Sequence, residues 1–381
     1  MGAVSSGPGK DENDVTAALG DESTSISRGE EKDGRLGRRN AILLITASVL
    51  IVAFAALNLI RVPVAILRPG PVSNTLGLTD GKPVIEVQGV KTYPTSGHLD
   101  FTTVSMAGGP RYPVSIMEWM QAKFDSDAEV DPESMWFQKG VTAQQVQQQS
   151  NAEMTNSQQI AEVVAMRAAG LTVPETITVA ALQQGTSATG HLKVGDVLVN
   201  VGGKKVTTLA SIASVMTSVK PASKVAVIVS RGGKQQTVQV STTDNGQGSA
   251  MFGIAITSSY KFPFQVKVNA GEIGGPSAGT MFTLAIYDTI TPGELTGGYK
   301  IAGTGTMSED GTVGPIGGIK QKMLGAKKTG AKFFLAPVSD CNETKGHVPR
   351  GLTIIKINTF NQALETVKQI ANGKKTRFVG C

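Results

Sequence analysis

Two side chains in this 381-residue sequence could do covalent chemistry together. Ser277 lies in Gly274-Gly275-Pro276-Ser277-Ala278-Gly279, ahead of the apolar-periodic run Ala278, Met281, Phe282, Ala285, Ile286. Proline suits the first turn of a helix, so this pattern predicts Ser277 at a helix N-terminus. Unpaired N–H groups and the positive dipole end converge there, as a developing oxyanion requires. A plain helix cap is the other reading of the same serine. Lys322 follows on a second helical pattern, sharing one face with Ile319, Met323 and Ala326 at i, i+3, i+4 and i+7, while Lys320 points away with Lys327. An ordinary lysine has a pKa near 10.4, so about one in 2500 is neutral at pH 7. Burial favours the neutral amine. Reaching a pKa near 7 requires about 4 kcal/mol of differential stabilisation. Snorkelling, with the stem buried and the amine wet, is the alternative for Lys322.

These residues need particular elements to hold them. Residues 264–269 (FQVKVN) alternate like a strand before the serine loop. Residues 300–319 read as a strand, an Asp310-Gly311 turn, a second short strand and a Gly-Gly entry into the lysine helix. Of the 45 glycines, 15 fall within residues 271–330, around the proposed site. Glycine there lets a substrate backbone lie against enzyme backbone.

Composition removes other chemistries. Three histidines and two cysteines are too few and too scattered for a zinc finger or an H-E-x-x-H site, so no metal is expected. No G-x-x-x-x-G-K-[ST] occurs, and no cofactor is expected. The net charge of +6 comes without a long basic run, which gives nucleic-acid binding little support.

Residues 1–40 contain no aromatic residue and are expected to be a disordered tail. Ala41–Ile60 is an uncharged apolar run of twenty residues, enough to span a ~30 Å hydrocarbon core as a transmembrane helix. Arg35, Arg38 and Arg39 before it, against Arg61 and Arg68 after it, point the N-terminus to the cytoplasm and the remainder outside. In an oxidising compartment Cys341 and Cys381 could pair; two unrelated thiols is the alternative.

Residues 69–112 carry turn signals around short strands, and residues 113–169 change to a helical pattern. Residues 170–245 form a cassette of strand, strand, helix, strand, strand. Within it Leu192-x-x-Gly195-Asp196-x-Leu198 followed by Val201-Gly202-Gly203-Lys204 resembles the signature of PDZ domains, with Gly202 where Asp or Asn is usual. The resemblance implies capture of extended peptides at a sheet edge; Gly170-Leu171 is the candidate nest for a terminal carboxylate.

Gly275-Pro276-Ser277-Ala278-Gly279, Gly303-Thr304-Gly305 and Gly311-x-Val313-x-Pro315-Ile316-Gly317-Gly318-Ile319-Lys320-Gln321-Lys322 resemble the proteolytic domain of Lon-type peptidases, over residues 250–381. The resemblance implies a Ser277–Lys322 dyad, an assisting Thr304, and supporting roles for Gly275 and Pro276. It also implies a homo-oligomer, since such domains form rings. Gly274 replaces the acidic residue common before Gly-Pro-Ser in ATP-dependent members, and Thr306 replaces their glutamate. Anchor, PDZ domain and Lon-like domain without an ATPase together resemble bacterial membrane-anchored PDZ-containing Lon-like peptidases. In these the PDZ domain is inserted into the protease fold, so residues 69–169 would lead into the protease region and form part of it. The expected fold class is α+β: one transmembrane helix, a β-rich PDZ domain with helices, and a Lon-type proteolytic domain. The expected activity is ATP-independent endopeptidase action on unfolded or exposed membrane or secreted proteins, outside a bacterial cell membrane. Two other readings compete. One is a non-catalytic PDZ adaptor. The other is an α/β-hydrolase-type esterase, in which Ser277 sits in G-x-S-x-G with His347 and Asp310 or Asp340.

Overall fold

The computed structural model describes residues 37–373 and 378–381. The tail expected over residues 1–40 lies outside the described residues except for 37–40, where a helix already begins at Arg38. The chain divides into two units, residues 1–55 and 56–381. The first holds most of the helix Arg38–Leu59, which is long and apolar enough to cross a membrane.

Two sheets organise residues 56–381. The first has six strands in the order Thr353–Ile357, Phe333–Pro337, Lys300–Gly303, His98–Ala107, Val64–Asn74 and Glu129–Pro132. The first four run parallel, and the last two are added antiparallel. The parallel members read as near-continuous apolar runs because both faces are covered. Alternate residues feed different cores: Ile301, Leu335 and Ile355 face Phe282, Phe360 and Val367, whereas Ala302, Phe334 and Ile354 face Ile319 and Met323. The helix Gly279–Ile290 therefore covers one face and Ile319–Lys328 the other.

The early strands Val64–Asn74 and His98–Ala107 thus share a sheet with the late chain. The segment between them and the second sheet is not wholly helical, because Glu129–Pro132 adds a short edge strand. It ends in a 26-residue helix, Ala143–Ala168, opened by a Thr142/Gln145 capping box. The glutamines face outward, while Met154, Ser157, Ala161 and Val164 are buried and the helix packs on Gly279–Ile290.

The second sheet is antiparallel, in the order Lys234–Ser241, Lys224–Arg231, Val197–Val201, Glu175–Leu182, Ile254–Tyr260. Its last member alters the expected division at residue 250. Ile254–Tyr260 pairs along its length with Glu175–Leu182, so the PDZ-like sheet runs one strand further than its cassette of residues 170–245. Helix Leu209–Met216, capped by Thr208, covers the apolar face.

Candidate active site

The serine and lysine helices lie on opposite faces of the first sheet and meet at the carboxyl end of Lys300–Gly303. In α/β sheets this is where ligand sites form. The loop before the serine helix is laced to the residues that follow this strand. Gly305 N–H donates to the Ser277 carbonyl at 2.8 Å, and Thr280 N–H donates to the Gly305 carbonyl at 3.0 Å. Beneath them, buried Thr102 donates to the Gly303 carbonyl at 3.2 Å, so strand His98–Ala107 supports the site from the neighbouring position.

The helix begins at Gly279, two residues later than the sequence pattern suggests, with Ala278 as N-cap. Pro276 and Ser277 therefore form the turn leading into it, not its first turn. The Ser277 side chain does not cap the helix. Among the described residues no backbone carbonyl takes the N–H groups of Ser277 and Ala278, which are left at the mouth of the helix beside the hydroxyl.

Lys322 is 2% exposed, among Ile319, Met323 and Ala326, each fully buried. Its Nζ lies 2.7 Å from Ser277 Oγ and 3.0 Å from Thr304 Oγ1, and Thr304 Oγ1 in turn donates to the Ser277 carbonyl at 3.0 Å. Burial pushes the Lys322 amine down to about 7, opposed in part by the charge of Asp340. Asp340 is itself buried, which raises its carboxyl, and it accepts from Ile316 N–H at 3.1 Å. Lys320, two positions from Lys322, faces outward to Glu129 at 2.6 Å.

A further layer was silent in the sequence. The long helix Ala143–Ala168 clamps the serine loop at two points, two turns apart. Gly275 N–H donates to the Ser150 carbonyl at 3.1 Å, and buried Ser157 Oγ donates to the Pro276 carbonyl at 3.0 Å. Gly275 takes φ +83°, which favours glycine, and a Cβ on Gly274 would run into Ser150 Oγ. A side chain at 274 would have to displace that hydroxyl. The available signal was two small polar residues seven apart on an otherwise amphipathic helix.

The family model for the Lon protease (S16) C-terminal proteolytic domain matches residues 234–369, and that for the PDZ domain matches residues 138–242. The chain carries a Lon-type serine-peptidase domain and a PDZ domain. Similar relatives include the Lon protease of Desulfatibacillum aliphaticivorans, 35% identical over 119 residues, covering 30% of this chain and 14% of that protein. The Lon protease of Clostridium beijerinckii is 39% identical over 104 residues, covering 26% and 13% respectively. The chain thus spans about a seventh of the length of the relatives it matches. Among solved structures, the PDZ domain of an SdrC-like protein from Listeria monocytogenes is 20% identical, covering 21% of this chain and 85% of that one, with a TM-score of 0.20. The two family matches overlap at 234–242, a stretch that takes in the strand Lys234–Ser241, which the hydrogen bonds assign to the PDZ sheet.

Ser277 and Lys322 line a cleft of about 790 Å³. Trp136, Phe137 and Met154 supply apolar walls, and Glu153 and Glu272 stand among its lining residues. His347, the base of the esterase reading, is exposed, and the side chain bonded to Ser277 Oγ is Lys322. In the PDZ domain, Gly170 and Leu171 do not form a nest. Their N–H groups close the end of helix Ala143–Ala168, donating to the Arg167 and Met166 carbonyls at 3.0 and 2.9 Å. Cys341 and Cys381 are joined as a disulfide, with Cα atoms 4.9 Å apart. Among the described residues no cluster of His, Cys, Asp or Glu suits a metal ion.

Proposed function

We propose that this chain is a membrane-anchored serine endopeptidase that needs no ATP and cleaves unfolded or exposed polypeptides on the extracytoplasmic side. The observation that carries this reading is Lys322 Nζ at 2.7 Å from Ser277 Oγ, on a lysine 2% exposed whose amine is pushed down to about 7. Neutral Lys322 accepts the Ser277 proton through its lone pair while an Nζ–H donates to Thr304 Oγ1. The Thr304 hydroxyl is committed to the Ser277 carbonyl, so each hydrogen in the chain has one direction. The alkoxide attacks a peptide carbonyl whose oxygen turns toward the N–H groups of Ser277 and Ala278. Lys322, now protonated, gives its proton to the leaving amine, and water repeats the cycle on the acyl-enzyme.

Helix Arg38–Leu59 is the anchor in this proposal, with Arg38 and Arg39 at its start on the cytoplasmic side. The free edge of Ile254–Tyr260, the outermost strand of the PDZ sheet, is where an extended peptide would add and so be recruited or gate the site. Tyr260, at the end of that strand, hydrogen-bonds Glu309 on the turn between Thr306–Met307 and Val313–Gly314, which links Thr304 to the lysine helix. The reading is tested by incubating the anchored chain with an unfolded protein beside Ser277→Ala, Lys322→Ala and His347→Ala. Loss with the first two and retention with the third is expected. Equal cleavage by the wild type and Ser277→Ala would leave the adaptor reading, and loss with His347→Ala alone would leave the esterase.

A further inference from the structure

Beside the exit of the apolar segment, the nine-residue helix Ile116–Phe124 turns apolar side chains outward. Ala122 and Trp119 face inward, against Val114 and Ile66. On the opposite side Met117, Met120 and Phe124 align at i, i+3 and i+7. Phe124 is 92% exposed, and Met120 and neighbouring Tyr112 are 37% and 55% exposed. Scattered apolar residues are ordinary at a surface, but a helical stripe of them ending in a bare phenylalanine is not.

Two cations, Lys123 and Arg111, stand beside this stripe against one carboxylate outside an ion pair, Glu118. Both carboxylates at the helix ends are committed: Glu118 to the Ser115 cap, and Asp125 to Arg68 at 3.0 Å. Lys123 reaches over the Trp119 ring and Arg111 over the Tyr112 ring. The helix is also tied to the end of the apolar run. Ile116 N–H donates to the Ile60 carbonyl at 3.0 Å, and Arg61 donates to the Pro113 carbonyl at 3.1 Å.

We propose that helix Ile116–Phe124 is a second membrane contact, lying in the headgroup–acyl boundary of an anionic bilayer with Phe124 and Met120 inserted and the flanking cations at the phosphates. This rests on the reading that residues 41–60 span a membrane. If they do, Ile60 sits at the interface, and the hydrogen bond from Ile116 holds the first turn of this helix there as well. A nine-residue helix extends about 14 Å from that point, so its outward stripe meets lipid when it lies flat. Aromatic, aliphatic and basic side chains on one short helix are the composition such surface helices use. A second copy of the chain is the competing occupant, but it would not explain why the stripe is tied to the exit residue and rimmed by cations.

The test uses the full chain in vesicles of phosphatidylcholine and phosphatidylglycerol. The two native cysteines are joined to each other, so an introduced thiol can be labelled alone. An environment-sensitive fluorophore is placed at Phe124→Cys and, as a solvent control, at Val194→Cys, which is 64% exposed in the PDZ domain. The expected result is blue-shifted emission at 124, quenched by spin-labelled lipid, with neither effect at 194. Water-like emission at 124 in protein that floats with the vesicles overturns the proposal and leaves the anchor intact. A blue shift that spin-labelled lipid does not quench assigns the stripe to contact between copies and also overturns it. Protein that fails to float with the vesicles sinks the anchor reading, and this proposal with it.

Discussion

Each of the two folded regions takes an ionisable side chain out of water, and they do so in opposite ways. In the PDZ sheet, Asp196 is buried against Arg231, with two contacts of 2.7 Å, and the Lys193 N–H donates to the same carboxylate. The Arg231 guanidinium holds the Asp196 carboxyl below its ordinary value, and Asp196 raises Arg231. In the proteolytic domain Lys322 is equally buried but meets only two hydroxyls, with Asp340 acting at a distance. Burial with a partner fixes a charge; burial without one removes it. The first arrangement stabilises a turn, and the second, in the proposed function, prepares a base at the expense of stability.

Several experiments press on that contrast. The largest effect belongs to the dyad. Ser277→Ala and Lys322→Met should each lower peptide hydrolysis by about 10³-fold or more, read by initial rates on an unstructured peptide. Lys322→Met should nonetheless raise thermal stability near pH 7, by about 1–4 kcal/mol, because it replaces a desolvated amine with an apolar chain of similar length. That gain has a pH dependence. The amine is protonated in the unfolded chain up to about 10.4 but titrates at about 7 when folded, so the unfolded state binds the extra proton between those values. Wild-type stability therefore rises with pH across that window, and the advantage of Lys322→Met shrinks toward pH 10. Denaturant melts at three pH values check this; an advantage that does not change with pH contradicts the account.

On the paired side, Asp196→Ala should lower stability in chemical denaturation, since it removes the carboxylate that accepts two Arg231 hydrogen bonds and the Lys193 N–H. Hydrolysis of a short peptide by the folded fraction should not change. If Asp196→Ala costs nothing, the turn is not held by this pair. The smallest effects concern the supports of the serine. Thr304→Val removes the acceptor of an Lys322 N–H and should lower kcat by about 10-fold to 100-fold. Ser157→Ala, which frees the Pro276 carbonyl, should lower kcat by about 5-fold to 10-fold with KM little changed. A rise in KM alone would place Ser157 in substrate binding and not in positioning the nucleophile.

The sequence showed the two ends of this chemistry better than what lies between them. Lys322 was legible because its face repeats at helical spacing with three fully apolar neighbours, which is a local signal. The Gly-Pro-Ser loop was legible as a motif, but its helix starts two residues later, because Pro276 and Ser277 make the turn into it. The support from Ser150 and Ser157 was hidden, since it depends on a helix more than a hundred residues earlier packing on the serine helix. Strand Ile254–Tyr260 was hidden for the same reason: alternation locates a strand but not the sheet it joins. Gly170 and Leu171 illustrate a different limit. A glycine after a helical run signals a C-cap as strongly as a binding loop, and here the N–H groups are spent on the cap.

The central claim is that Lys322 titrates at about pH 7, and not near 10, because it is buried with no carboxylate in contact. The most direct measurement is the pH dependence of kcat/KM for an unstructured peptide, from pH 5 to pH 10. The base form of Lys322 is the active one, so the rate should climb tenfold per pH unit at the acid end, pass half-maximum at about pH 7, and then level off. A rate that keeps climbing tenfold per pH unit up to about pH 10 would assign the base an ordinary lysine pKa and contradict the account.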